Sequence, residues 1–201
     1  MSFLLEYSNL SFFCFCSRLW TPWCRITLFN EQLAKKIIDS NNIFFMKTEY
    51  LNFYNNLVKL TTNKSLYDNL IDEQDTFSDR LSIFLIHFAF ILKEYKNVDN
   101  EKILQELYDF NFRQLELSIR EIGYGDQSIN KKMKDYLNLF HSIISDIHFW
   151  DDMELLKKNE CILKFLQNFG NIEFLVRYFQ DFSLELKKYD LNSYLKSVNK
   201  S

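Results

Sequence analysis

At 201 residues the chain lies within the size of one domain, and its 47% hydrophobic and 25% charged content excludes intrinsic disorder. Only 3 Gly and 1 Pro are present, too little turn chemistry for a sandwich or barrel, so the composition predicts helix. Lys and Arg number 24 against 27 Asp and Glu, and the formal charge of -3 offers no global basic field for bulk nucleic-acid binding; DNA is not an expected partner. The 21 Phe, 11 Tyr and 3 Trp are read as core filling rather than as a site.

Residues 1–45 form a poorly patterned N-terminal extension that holds Cys14, Cys16, Cys24, Trp20, Trp23 and Pro22. The cysteine spacing lacks a fourth ligand and a nearby His, so neither a zinc site nor a disulfide framework is expected. No secretory signal is expected either, because the first residues lack a positive region and Glu6 and Asn9 interrupt the apolar stretch. Helical periodicity begins at Met46, which is an alternative start for the native chain. The domain boundary therefore falls at 46, with residues 46–201 as the helical domain.

In chain order, Tyr50–Leu60 reads as a short helix and Ser65–Ile71 as a second. From Arg80, Leu81, Phe84, Leu85, Phe88, Leu92 and Tyr95 share one helical face, and Ile83, Ile86, Phe90 and Ile91 fill the others. This helix is apolar nearly all round and should be the central one. Its uncharged run is too short for the roughly 20 residues that a bilayer crossing needs. A helix over about Asn100–Ile122 follows, with Leu104, Leu107, Tyr108, Leu115, Ile119 and Ile122 inward, and Gly123 stops it. The next, about Ile129–Trp150, carries Met133, Tyr136, Leu137, Phe140, Ile144 and Ile147 inward and Lys131, Lys132, Lys134 and Asp135 outward. Leu155, Ile162, Leu163, Leu166 and Phe169 mark a helix up to Gly170, and Ile172 through Tyr189 mark the last. The expectation is an all-α single compact bundle of six or seven helices with short loops.

Catalytic chemistry has little to use. His87, His141 and His148 are the only histidines, and none lies in a nucleophile or metalloprotease motif. His87 reads as a core histidine bonded to a carbonyl. His141 and His148 lie seven apart with Asp151 close behind, so a helical metal site stays open as an alternative. The stretch Arg120-Glu121-Ile122-Gly123-Tyr124-Gly125-Asp126, followed by Lys131-Lys132-Met133-Lys134, is more informative. Its Gly-x-Gly follows a helix rather than a strand, which excludes a dinucleotide fingerprint and leaves a helix-to-helix corner. Lys131, Lys132 and Lys134 are either a solvated face or a basic edge for ribosomal RNA or anionic headgroups.

This corner, with its Arg-Glu-hydrophobic-Gly-x-Gly-Asp block, the following Lys-Lys-Met-Lys and an aromatic near Phe140, resembles the ubiquinol cytochrome c chaperone family. Upstream, Asp75-Thr76-Phe77-Ser78-Asp79-Arg80 ahead of the helix with His87 is similar to a second block of that family, and Leu163–Phe169, Asn168 and Tyr178 are similar to its final helices. The likeness covers about residues 50–190. Leu81 stands where members carry Phe, and the prolines that members have near Tyr67 and before Asp75 are missing.

The resemblance implies a non-enzymatic, cofactor-free assembly chaperone for the cytochrome bc complex, or respiratory complex III, that handles newly made cytochrome b or its nascent chain. It also implies a small helical partner protein and work near the ribosome, while the lysine edge leaves an anionic membrane surface as a further partner. The binding residues on this reading are Arg120, Gly123, Gly125, Asp126, Lys131, Lys132 and Lys134. With no membrane span, the expected location is the cytoplasm, with peripheral contact at the inner membrane. The alternatives are a helical metal-dependent hydrolase using His141, His148 and Asp151, and a generic helical interaction module. A chaperone of apolar segments should also expose an apolar and aromatic patch.

Overall fold

A computed structural model describes residues 48–68, 70 and 76–198. The expectations for residues 1–45, for Met46 as a start and for Asp75 lie outside the described residues. Among them, seven α-helices occur: α1 Thr48–Thr61, α2 Phe77–Glu94, α3 Glu101–Glu121, α4 Asp126–Ile147, α5 Leu155–Phe165, α6 Ile172–Leu186 and α7 Leu191–Val198. The all-α expectation holds.

α2 is the axis of the bundle. Every residue from Leu81 to Leu92 is buried, and α1, α4 and α6 pack around it. Aromatic rings supply most of the contact: Phe88 stacks on Phe140 of α4 at 5.3 Å and meets Phe53 of α1 edge-on at 6.2 Å, while Phe90 stacks on Phe179 of α6 at 5.7 Å. Each such ring buried from water contributes on the order of 2 kcal/mol, which is why a helix without a polar stripe must sit at the centre. The start of α2 is set by a reciprocal cap in which the Asp79 amide donates to Thr76 Oγ1 and the Thr76 amide donates to Asp79 Oδ2, both at 3.2 Å.

Several expected boundaries are corrected. The described residues of the expected Ser65–Ile71 helix hold no α-helix: a single 3-10 turn spans Lys64–Leu66, where Asn63 Oδ1 accepts the Ser65 amide and draws the backbone out of the α-conformation. α5 ends at Phe165, before Gly170, because the Leu166 backbone leaves the helical region, and Leu166 and Phe169 are then buried separately. Trp150 lies past the end of α4 in a 3-10 turn, Trp150–Asp152, so Asp151 and Asp152 precede α5 without starting it. The last predicted helix is two. α6 stops at Leu186, Asp190 Oδ2 accepts the Ser193 amide at 3.3 Å, and α7 begins under α1, with Tyr194 against Phe53 at 6.3 Å.

The inward stripes also shift. Ile122 is 61% exposed rather than buried. On α4 the buried line is Ile129, Phe140, Ile143 and Ile147, with Met133, Tyr136, Leu137 and Ile144 half-buried beside it. Leu155 and Leu163 point out of α5, whose buried residues are Cys161 and Ile162.

Candidate functional site

The corner between α3 and α4 is a reversal built on one residue. Gly123 has φ of +97°, the left-handed region that ends helices, and its amide donates to Arg120 O at 2.9 Å. A Cβ at either Gly123 or Gly125 would meet nothing within 4 Å, so the requirement at Gly123 is backbone conformation and not space. Gly125 is extended, with φ −72° and ψ 155°, and its carbonyl accepts the Ile129 amide as α4 begins.

Arg120 spans the turn. Its Nη1 donates to Asp126 Oδ1 at 2.5 Å, while Nε and Nη2 donate to Glu116 Oε1 at 3.1 and 2.8 Å. Glu116 and Asp126 hold the guanidinium above its ordinary pKa. Asp126 is the first residue of α4, where the helix dipole favours a carboxylate. These two residues are satisfied by each other and by Glu116. Lys132 places Nζ 4.5 Å from the Tyr124 ring centroid, a cation–π contact, whereas Lys131 and Lys134 project into water. Ile122 and Tyr124, exposed at the tip, make the corner amphipathic: an apolar tip with a lysine edge.

His87 is fully buried. Its Nδ1 lies 2.8 Å from Ile83 O and its Nε2 2.8 Å from the Tyr178 hydroxyl, so the neutral ring donates to the carbonyl and accepts the phenol proton. Burial pushes its pKa down to about 4 and that of the Tyr178 phenol up to about 12. This is a satisfied core histidine, as its place in an apolar helix predicted, and the sequence did not pair it with Tyr178.

The metal alternative finds no arrangement. Among the described residues no group of three or more His, Cys, Asp or Glu side chains comes together to hold an ion, and His141, His148 and Asp151 are not brought together. Asp151 instead accepts from Lys93 at 2.5 Å and Lys187 at 3.0 Å, and burial depresses the pKa of His141. Cys161 is buried and its thiol is pushed up to about 11, which leaves little thiolate for chemistry. An open cleft beside the start of α6 is lined by Asp68, Leu70, Asn159, Gly170, Asn171, Ile172 and Glu173, with no His, Cys or Lys among them.

Sequence reasoning missed two features. Glu94, nearly buried, binds Lys93 at 2.7 Å and the Ser183 hydroxyl at 3.0 Å, joining the ends of α2 and α6 to the Trp150–Asp152 turn. Phe149, Leu155, Leu156 and Leu163 are exposed around the α4–α5 corner. A Leu-Leu pair followed by an Ile-Leu pair, more apolar residues than a short helix can turn inward, is the sequence signal for them.

No helix of the described residues is long and apolar enough to cross a membrane. No curated protein and no solved structure matches the chain. Residues 71–147 match the family model described as Ubiquinol-cytochrome C chaperone, and this block, running from the approach to α2 through the glycine corner to the end of α4, is what the chain shares with that family.

Proposed function

We propose that the protein is a non-enzymatic assembly chaperone for the cytochrome bc complex, acting on newly made cytochrome b. The observation that carries this reading is the family match over residues 71–147, the stretch that contains the central helix and the glycine corner. Supporting it, no metal-holding cluster forms among the described residues, and large apolar side chains stand exposed at two helix corners. On this reading the protein works in the cytoplasm with peripheral contact at the inner membrane. The corner residues Arg120, Gly123, Gly125, Asp126, Lys131, Lys132 and Lys134 form a docking edge. Arg120, Gly123, Gly125 and Asp126 hold its shape, and the three lysines meet an anionic surface, on the ribosome or the membrane, with a small helical partner protein alongside.

The test is deletion of the gene followed by haem spectra of membranes. Loss of cytochrome b and of the assembled complex is expected, with restoration by the wild-type chain. Unchanged spectra would sink the reading. Complementation by a Lys131→Ala, Lys132→Ala, Lys134→Ala chain then examines the edge: normal folding with failed restoration is expected, and full restoration at ordinary salt would reduce the lysines to a solvated face.

A further inference from the structure

α5 covers α6 and α4 with Cys161 and Ile162, yet its outward side is apolar. Leu156, 74% exposed, and Leu163, 48% exposed, are seven residues apart on one helical face, with Glu160 between them. Leu155 and Phe149, 64% and 56% exposed, stand at the first position of the helix and just before the Trp150–Asp152 turn that leads to it. Single exposed leucines are ordinary, but four large apolar side chains between positions 149 and 163 are a patch.

Among the exposed charges around the patch, acidic residues outnumber basic ones. Asp152, Glu154 and Glu160 are exposed, and none of the three makes an ion pair among the described residues. The neighbouring cations are committed inward or sideways: Lys158 donates to Gln180 at 2.8 Å and Lys164 to Asp146 at 2.7 Å. Exposed Lys157 and half-buried Lys158, whose partner Gln180 is neutral, offset two of the three carboxylates, which leaves one negative charge in excess. An anionic lipid surface would be repelled. A second copy related by two-fold symmetry would bring this acidic margin against itself.

We propose that the outward face of α5, together with Phe149, docks a helical segment of a partner protein that is apolar on one side and carries Lys or Arg along its margins. The leucines and Phe149 take the apolar side, as in helix-on-surface recognition, and Asp152, Glu154 and Glu160 select the basic margins. Membrane spans are flanked by Lys and Arg at their cytoplasmic ends, so a client of the chaperone proposed above has this character. The choice of client rests on that reading; the surface does not.

The experiment uses the full chain and two labelled amphipathic peptides of about 18 residues, with one leucine face and either Lys or Glu on the margins, followed by fluorescence anisotropy. The Lys-margined peptide should bind at least about 10-fold tighter at low salt, with the gap closing at high salt. Leu155→Ser with Leu156→Ser and Leu163→Ser should weaken binding by about 10-fold or more. Asp152→Asn with Glu154→Gln and Glu160→Gln should remove the preference between peptides while leaving the thermal midpoint unchanged. Should the leucine variant fail to fold, this second variant, altered only at exposed side chains, decides the matter.

Equal binding of the two peptides, or binding unaffected by the charge variant, overturns the proposal. So does a dimer that the leucine variant splits, which would assign the face to a second copy, or leucine-dependent binding to anionic vesicles. Failure here is separable from failure of the chaperone reading. A leucine variant that cannot bind the peptide yet restores the bc complex removes this surface alone, whereas a deletion strain with normal haem spectra removes the chaperone reading and leaves the peptide result standing.

Discussion

Tyr178 on α6 donates its phenol proton to His87 Nε2 on α2 across 2.8 Å, and the two residues are 91 positions apart in the chain. The imidazole is enclosed edge-on by Phe179 at 5.1 Å and Phe182 at 4.9 Å. Tyr178→Phe leaves a buried acceptor without a donor and should cost about 1–3 kcal/mol, measured by urea unfolding at neutral pH.

The same pair sets a pH dependence. The folded pKa of His87 lies at about 4, below its unfolded value of 6.5. Above 6.5 both states are neutral and stability is complete. As the pH falls from 6.5 towards 4 the unfolded chain takes a proton that the folded chain refuses, so stability declines, by at most about 1.4 kcal/mol per pH unit, and the decline levels off below about 4. His87→Gln should flatten the unfolding midpoint across that window. His141 and His148, whose pKa values burial also lowers, keep a slope of the same sign in the variant. An unaltered slope would mean that His87 titrates normally.

At the corner, Gly123→Ala and Gly123→Val place a Cβ on a residue at φ +97° and should destabilise by about 1–2 kcal/mol, Val more than Ala. Gly125→Ala, at ordinary φ and with open space, should cost less than Gly123→Ala, about 0.5 kcal/mol, because Gly125 is the N-cap of α4, where Ala is disfavoured. Thermal unfolding of the three variants separates backbone strain from crowding. Similar losses at both glycines would contradict it.

Asp79 Oδ2 accepts from the Thr76 amide, the Thr76 hydroxyl and Asn168 Nδ2, the last at 3.2 Å. One carboxylate oxygen therefore caps α2 and anchors the link between α5 and α6. Asp79→Ala should cost more than Thr76→Ala, for which about 1 kcal/mol is expected, and a double-mutant cycle with Asn168→Ala should show coupling. Additive losses would mean that Asn168 does not use the cap.

Glu94 is the buried member of the charge network at the opposite end of α2. Glu94→Ala removes the acceptor of the buried Ser183 hydroxyl and one of the two carboxylates that hold Lys93, and should cost about 1–3 kcal/mol. Burial alone would raise the Asp151 pKa, but Lys93 and Lys187 hold it below the carboxylate range. Because Asp151 is half-exposed, Asp151→Ala should cost less than about 1 kcal/mol. Unfolding in denaturant gives the order, and equal losses would place the network in water.

How much was legible in advance depended on the range of the interaction. The central place of α2 could be read because a helix apolar on every side has nowhere else to sit. The corner could be read because a Gly that ends a helix acts within a few residues of chain, and the Arg120–Asp126 ion pair that the structure adds is equally local. Local chemistry was also misread where it was faint: Asp190 capping α7 and Asn63 drawing the chain into a 3-10 turn each lie in stretches whose apolar spacing continues the preceding helix.

The sequence by itself determined the helical class, the axis of the bundle and its sharpest reversal, since periodicity, caps and glycine conformations act over a turn or two of chain. Only the tertiary structure decided which apolar residues remain in water. Leu156 and Leu163 carry the same periodicity as core leucines, and they are exposed because α4 and α6 meet the other side of α5. It likewise decided that His87 meets Tyr178 and that Asp151 meets Lys93 and Lys187 rather than His141 and His148. Burial and pairing belong to the neighbours that a residue acquires on folding, and those neighbours lie tens of residues away in the chain.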